Sequence, residues 1–185
     1  MDVVTLIERY YDPGSKAYHF LLQHGRMVAA KALRIARRLN GKTPDTRFIE
    51  EAALLHDIGI YLTNAPDIGC FGPHPYIAHG YLGREVLERE GLPKHALVCE
   101  RHVGMGLTVA NIKANVFPLP RRDMLPQTLE EKLICFADKF YSKHEETLLH
   151  EKPLAEVRQT IARYGQDKLQ EFEAWRELFR EKSEG

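Results

Sequence analysis

Apolar residues recur along most of this chain three and four positions apart, the interval that lines one face of an α-helix. A short amphipathic segment, Val3 to Tyr11, stops at Asp12-Pro13-Gly14. Ser15 can then cap a long helix with Tyr18, Leu21, Gly25, Val28, Ala32, Ile35 and Leu39 on one stripe, and Asn40-Gly41 makes its C-terminal stop. Thr43-Pro44-Asp45 opens the next helix with proline in its first turn, and Phe48, Ile49, Ala52, Ala53 and Leu55 lead up to His56-Asp57. Residues 61–75 are rich in Gly, Pro, Asn and Asp and read as a loop. Helices are expected from Tyr76 to Glu90 and from Pro93 to about His102. The stretch from Leu107 to Pro126 has no clean period and reads as a long loop or short turns. Thr128 and Glu131, in capping-box spacing, start the helix TLEEKLICFADKFYSKHEE. One or two amphipathic helices follow from Pro153, around Val157, Ile161, Tyr164, Leu169, Phe172, Trp175 and Phe179. The pattern is that of an all-α protein.

Several polar residues break this pattern by falling on apolar faces. In AALLHDIGI, residues 52–60, an imidazole and a carboxylate end a buried-looking run, where an unpartnered polar group is costly. His24 lies on its helix stripe between Leu21 and Val28. His102 follows Val98 and Cys99, and Asp138 follows Ile134 and Cys135, at the same helical offsets. His79 begins HGYLG, where Gly80 and Gly83 leave space for something large to approach. A lone core histidine commonly just hydrogen-bonds. Imidazoles and carboxylates converging together form a metal site more naturally, because carboxylates need a cation.

Composition narrows the setting. Hydrophobic residues make up 44% of the 185-residue chain and charged residues 28%, an ordinary globular balance that suits one domain. The 26 basic and 26 acidic residues cancel, so no global field recruits a nucleic-acid polymer or a membrane surface. No stretch approaches the ~20 apolar residues of a membrane span, and MDVVTLIERYYDPGS does not read as a signal peptide. Cys70, Cys99 and Cys135 are too few and scattered for a disulfide framework, so a reducing cytoplasmic setting is expected. No CxxC pair supports a zinc finger. The nine histidines are many for this length and keep the metal reading in front.

The order His24, His56-Asp57 and a distant Asp138 resembles the signature of the HD-domain metal-dependent phosphohydrolase superfamily, of which HDIG marks a large subset. HGYLG and ERHVGMG resemble the segments that bring a second ion's histidines in two-metal members. With LPQTLEEKLICFADKF they look closest to the small single-domain HDIG proteins, and are also similar to bacterial HD hydrolases that split dinucleoside tetraphosphates. The resemblance implies an HD-domain helical bundle over the whole chain, with the metal-binding core at about 15–150 and a C-terminal helical extension at about 151–185. It also implies two divalent ions, drawn from Fe, Mn, Co, Zn or Mg. His24, His56, Asp57 and Asp138 hold one, His79 and His102 hold the second, and Asp57 bridges them.

Such a centre generates hydroxide at neutral pH and directs it at a phosphate ester or anhydride, nucleotide-like or otherwise small. Arg84, Arg101, Arg121, Arg122, Lys139 and Lys143 are the candidate cations for the substrate phosphate, and His74 is a candidate proton donor or phosphate contact. Many two-metal HD proteins carry a lysine directly after HDIG. This chain has Ile60, so the roles given to that lysine do not carry over. A di-iron oxygenase and a non-catalytic nucleotide-binding sensor are the rival functions on the same scaffold. The apolar face of the C-terminal helices packs either on the chain's own core or on a second subunit as a homodimer.

Overall fold

The computed structural model describes residues 2–39, 41–142 and 147–180. Helices dominate: α1 (Val3–Ile7), α2 (Lys16–Ala36), α3 (Thr46–Leu55), α4 (His79–Arg89), α5 (Pro93–Arg101), α6 (Val109–Ala114), α7 (Leu129–Asp138), α8 (Leu154–Ala162) and α9 (Gln166–Leu178). The all-α expectation holds. Among the described residues, the one sheet is an antiparallel pair, β1 (Asn64–Ala65) with β2 (Cys70–Phe71), inside the segment read as a loop. No described helix is long and apolar enough to cross a membrane.

Capping side chains set most helix starts. Ser15 Oγ accepts from the Tyr18 amide, Asp45 from Phe48 and Thr128 from Glu131. Asp45 is therefore the cap of α3, and Pro44 stands just outside the helix rather than in its first turn. The segment 107–126 is more ordered than its composition predicts. Thr108 and Asn111 make a capping box that starts α6, and Leu107 and Met124 exchange backbone hydrogen bonds that close the segment at its base. The helix opened by Thr128 is shorter than its sequence period suggests: it ends at Asp138, and the chain turns at Lys139. Residues Lys143 to Glu146, which the expected helix included, lie outside the described residues.

Two apolar clusters fill the interior. One joins the second half of α2, α3, α7, α8 and α9, with Phe136 stacked on Phe172 and edge-on to Phe179. The other joins α1, the first half of α2, α4 and α5. The C-terminal helices thus bury Phe172, Trp175 and Phe179 on the chain's own core. His24 sits between Leu21 in one cluster and Val28 in the other, and His56 between Ala53 and Ile58. The polar centre occupies the seam between the two clusters.

Glycines bring the elements around that seam into backbone contact. A Cβ on Gly59 would lie 2.3 Å from His79 O and 2.4 Å from Gly83 N. A Cβ on Gly80 would meet Cys99 O at 2.8 Å, and one on Gly83 would meet Cys99 Sγ at 2.7 Å. The space at HGYLG is therefore taken by the chain itself, not held open for a ligand. Gly59 is needed for this close approach, since no positive φ is recorded there.

Charges tie down the return from α7. Lys31, fully buried, sits 3.7 Å from the centre of the Phe140 ring and donates to Glu151 at 2.6 Å. Arg34 and Tyr141 donate to the same carboxylate. Burial raises the Glu151 pKa, but these donors outweigh it and bring the value below 4.5. A carboxylate with a lowered folded pKa adds stability above its unfolded pKa and loses it as pH falls through the folded value. Two outcomes follow. Gly59→Ala costs about 3 kcal/mol, because the opposing atoms are backbone and cannot rotate away, and urea midpoints will show it. Glu151→Gln is less stable than wild type at pH 7, and the difference in urea midpoint shrinks as pH drops below about 4.

Candidate metal centre

The six residues singled out from the sequence converge at this seam. His24 comes from the middle of α2, His56 caps the end of α3, and Asp57 follows it. His79 begins α4, His102 caps the end of α5, and Asp138 is the last residue of α7. All six are buried, none more than 8% exposed.

One local device aims three of the imidazoles. The ring Nδ1 of His56, His79 and His102 each meets the carbonyl three residues earlier, Ala53, Tyr76 and Cys99, at 2.6, 2.7 and 2.7 Å. A carbonyl only accepts, so each Nδ1 carries a proton and each Nε2 is turned inward, where it can coordinate a cation once it holds no proton of its own. The Asp57 carboxylate divides between two histidine pairs. Its Oδ2 lies 3.1 Å from His56 Nε2 and 3.4 Å from His24 Nε2. Its Oδ1 lies 3.3 Å from His79 Nε2 and 3.4 Å from His102 Nε2. Asp138 Oδ1 adds contacts of 2.9 Å to His24 and 3.5 Å to His56.

These atoms fit divalent cations. His79 Nε2 and His102 Nε2 face one another at 3.1 Å with both Nδ1 protons committed elsewhere. Two ring nitrogens at that distance need a positive charge between them, whether a shared proton or a divalent cation. His24, His56 and Asp138 offer three donor atoms within 4.8 Å of one another, as do His56, Asp57 and His102. Sharing His56, the two groups make one continuous cluster. Its demand for positive charge shows in the imidazoles themselves. Burial lowers the proton affinity of His56, yet Asp57 and Asp138 outweigh burial and push its pKa up to about 9. His102 has its pKa lowered, chiefly by burial.

A second layer holds the ligands in place. Lys139 Nζ donates to Asp138 Oδ2 at 2.7 Å and to His102 O at 3.0 Å, leaving Asp138 Oδ1 for the histidines. Burial opposes charge on Lys139, but the adjacent Asp138 carboxylate outweighs it and raises the pKa. Cys99 Sγ donates toward the Leu55 and His56 carbonyls.

A cavity of about 410 Å³ opens onto His79, His102, Asp138 and Lys139. A second, of about 550 Å³, shares Tyr76, Asp138, Lys139 and Tyr164 with it. Of the described cations expected at the phosphate, Lys139 alone lines either cavity. Arg84 pairs with Glu88 and Glu100, Arg122 with Glu100, and Arg101 with Glu131. Glu100 is 2% exposed, so Arg84 and Arg122 neutralise a buried carboxylate and pin the 107–126 segment. Arg121 is exposed and lines neither cavity. His74 pairs through its backbone with Leu62 and Asn64 and is likewise absent from both linings. Lys143 lies outside the described residues. Ile60 is buried in the core cluster with Tyr11 and Ile68. Lining residues the sequence reading did not pick as contacts are Arg163, Tyr164 and Lys168, from the C-terminal helices. Their charge and aromaticity were visible in the sequence, but nothing local linked them to the histidines.

Comparison with known proteins gives the family. A model of the HD domain family matches residues 21–142. The chain belongs to the HD-domain family. An uncharacterized protein of Methanocaldococcus jannaschii is 37% identical over 110 residues, 59% of this chain and 57% of the relative. Two proteins named tRNA (cytidine(56)-2′-O)-methyltransferase also match. The one from Picrophilus torridus is 32% identical over 123 residues, 66% of this chain and 31% of the relative. The one from Thermoplasma volcanium is 28% identical over 127 residues, 68% of this chain and 33% of the relative. The matches thus span between 31% and 57% of these curated relatives. No solved structure matches.

Metal binding to the folded cluster must appear as stability. At a free concentration 100 times Kd, Mn²⁺ or Co²⁺ stabilises the fold by about 2.7 kcal/mol, which raises Tm by roughly 5–10 °C for a chain of this length. Chelation reverses the shift, and Asp57→Asn reduces it, as followed by thermal melts with and without EDTA.

Proposed function

We propose that the chain is a metal-dependent phosphohydrolase acting on a small phosphate ester or anhydride, with two divalent ions held by His24, His56, Asp57 and Asp138 on one side and by Asp57, His79 and His102 on the other. The observation that carries this reading is the division of Asp57, one oxygen toward each histidine pair. Bound divalent ions supply Lewis acidity and lower the pKa of water toward neutrality.

The chain's own groups do the rest. The three Nδ1–carbonyl bonds fix the histidine tautomers, and Lys139 fixes Asp138, so the donor atoms need little reorganisation on binding. The cavity over His79, His102 and Asp138 lies open beside the helix ends, where a phosphoryl group has room. Hydrolysis there forms a bond from water oxygen to phosphorus and breaks the P–O bond to the leaving group, whose oxygen takes a proton from solvent. Lys139 adds positive charge beside that opening.

The name carried by the relatives from Picrophilus torridus and Thermoplasma volcanium does not transfer to this chain. The matched segments are about one third of those proteins, so methyl transfer is a property of the whole protein. Four imidazoles around a shared carboxylate support hydrolysis, while moving a methyl group to a hydroxyl has no need of them.

The test is phosphate release from a panel of nucleotides and simple phosphate esters, with Mn, Fe, Co or Mg supplied, in air and under argon. Release is expected to persist without oxygen and to fall by roughly three orders of magnitude or more in Asp57→Ala, since the ions supply several kcal/mol of barrier lowering. Oxygen consumption coupled to turnover would move the chain to the di-iron oxygenases. Metal binding without turnover of any panel member would favour a sensor.

A further inference from the structure

Part of the wall of the 410 Å³ cavity comes from outside the HD-domain match, which ends at residue 142. That part consists of Arg163 and Tyr164, directly after α8, and Lys168, in the first turn of α9. Lys168 is 7% exposed. Its ammonium donates to Gly106 O at 2.8 Å, and Asp167 Oδ2 stands off at 4.0 Å. A buried ammonium carries three N–H groups, so one close acceptor leaves donor capacity on a side chain that lines the cavity. Arg163 is exposed and makes no ion pair among the described residues. Tyr164 is 56% exposed and lines both cavities. Phe117 and Asn115 add a second aromatic surface and a hydrogen-bonding amide.

We propose that Lys168, Arg163 and Tyr164 form the substrate-recognition face of this site, and that the ligand class it takes is a nucleoside monophosphate. Lys168 and Arg163 bind phosphate oxygens on the side away from His79 and His102, and Tyr164 stacks on the base. This rests on the phosphohydrolase reading above. Two cations, one of them desolvated, suit a dianionic phosphate better than a neutral ligand. A large aromatic ring left open over a cavity of this volume suits a planar heterocycle better than a sugar phosphate without one.

The probes are inorganic phosphate and the analogue of AMP in which carbon replaces the ester oxygen, so that binding is read without turnover. Both are titrated calorimetrically into the full chain loaded with Mn²⁺. Wild type binds the analogue about tenfold or more tightly than phosphate. Tyr164→Ala erases that margin while leaving phosphate affinity as it was, and Tyr164→Phe retains it. Arg163→Gln and Lys168→Met weaken both probes by roughly tenfold or more. Because Lys168 also holds Gly106, its variant is first checked by melting, and Arg163→Gln, at an exposed position, carries the test alone if Lys168→Met fails to fold. Equal affinity for the two probes in wild type, or variants that bind both as wild type does, would overturn the recognition face. If neither probe binds the Mn²⁺-loaded chain, the phosphohydrolase reading falls as well.

Discussion

Everything in this molecule is arranged around a shortage of positive charge. Two carboxylates and four imidazoles are buried together, with Lys139 the one lysine or arginine hydrogen-bonded to them among the described contacts. Without further charge the cluster is costly: its carboxylates raise the His56 pKa, and the His79 and His102 Nε2 atoms stand 3.1 Å apart. The fold accepts that cost because each ligand sits on an element anchored elsewhere. α2, α3 and α7 are held by one apolar cluster, and α4 and α5 pack into the other. Binding energy from a cation is therefore folding energy, expressed at the seam where the two halves of the core meet.

The buried polar cluster was legible in the sequence because most of its members interrupt an apolar period, while His79 stood out by its flanking glycines. A histidine between Leu21 and Val28, or an aspartate after Ile134 and Cys135, is an anomaly that periodicity exposes. The cations at the phosphate were not legible, and the reason is geometric. Neighbours in a helix point about 100° apart. Arg101 adjoins His102 in sequence yet faces Glu131, while Arg84, five residues after His79, faces Glu100. Adjacency to a ligand predicts little about direction. Lys168 is far from every ligand in sequence and still reaches the cavity, because α9 packs back along α7.

The segments read as irregular follow a similar logic. Between residues 107 and 126 the signal for order was a single Thr-x-x-Asn box and one pair of backbone hydrogen bonds, too local for any period to show. The shortened α7 shows the reverse: a favourable helical pattern continued beyond Asp138, but the chain turns there and Lys139 bonds backward to Asp138 and His102. The ligand is thereby left at a helix end, where it can reach the centre.

Gly59 and Gly83 press the chain after Asp57 directly against the first turn of α4, with no side chain between them. That contact acts as a caliper. The separation of Asp57 from His79 is set by main-chain atoms in van der Waals contact rather than by rotatable side chains, so it has little travel. On the other side of the carboxylate stand His24 and Asp138, which sit on separate long and short helices. One flank of Asp57 is thus spaced by main-chain contact and the other by side chains reaching in from α2 and α7, so the two flanks are built differently.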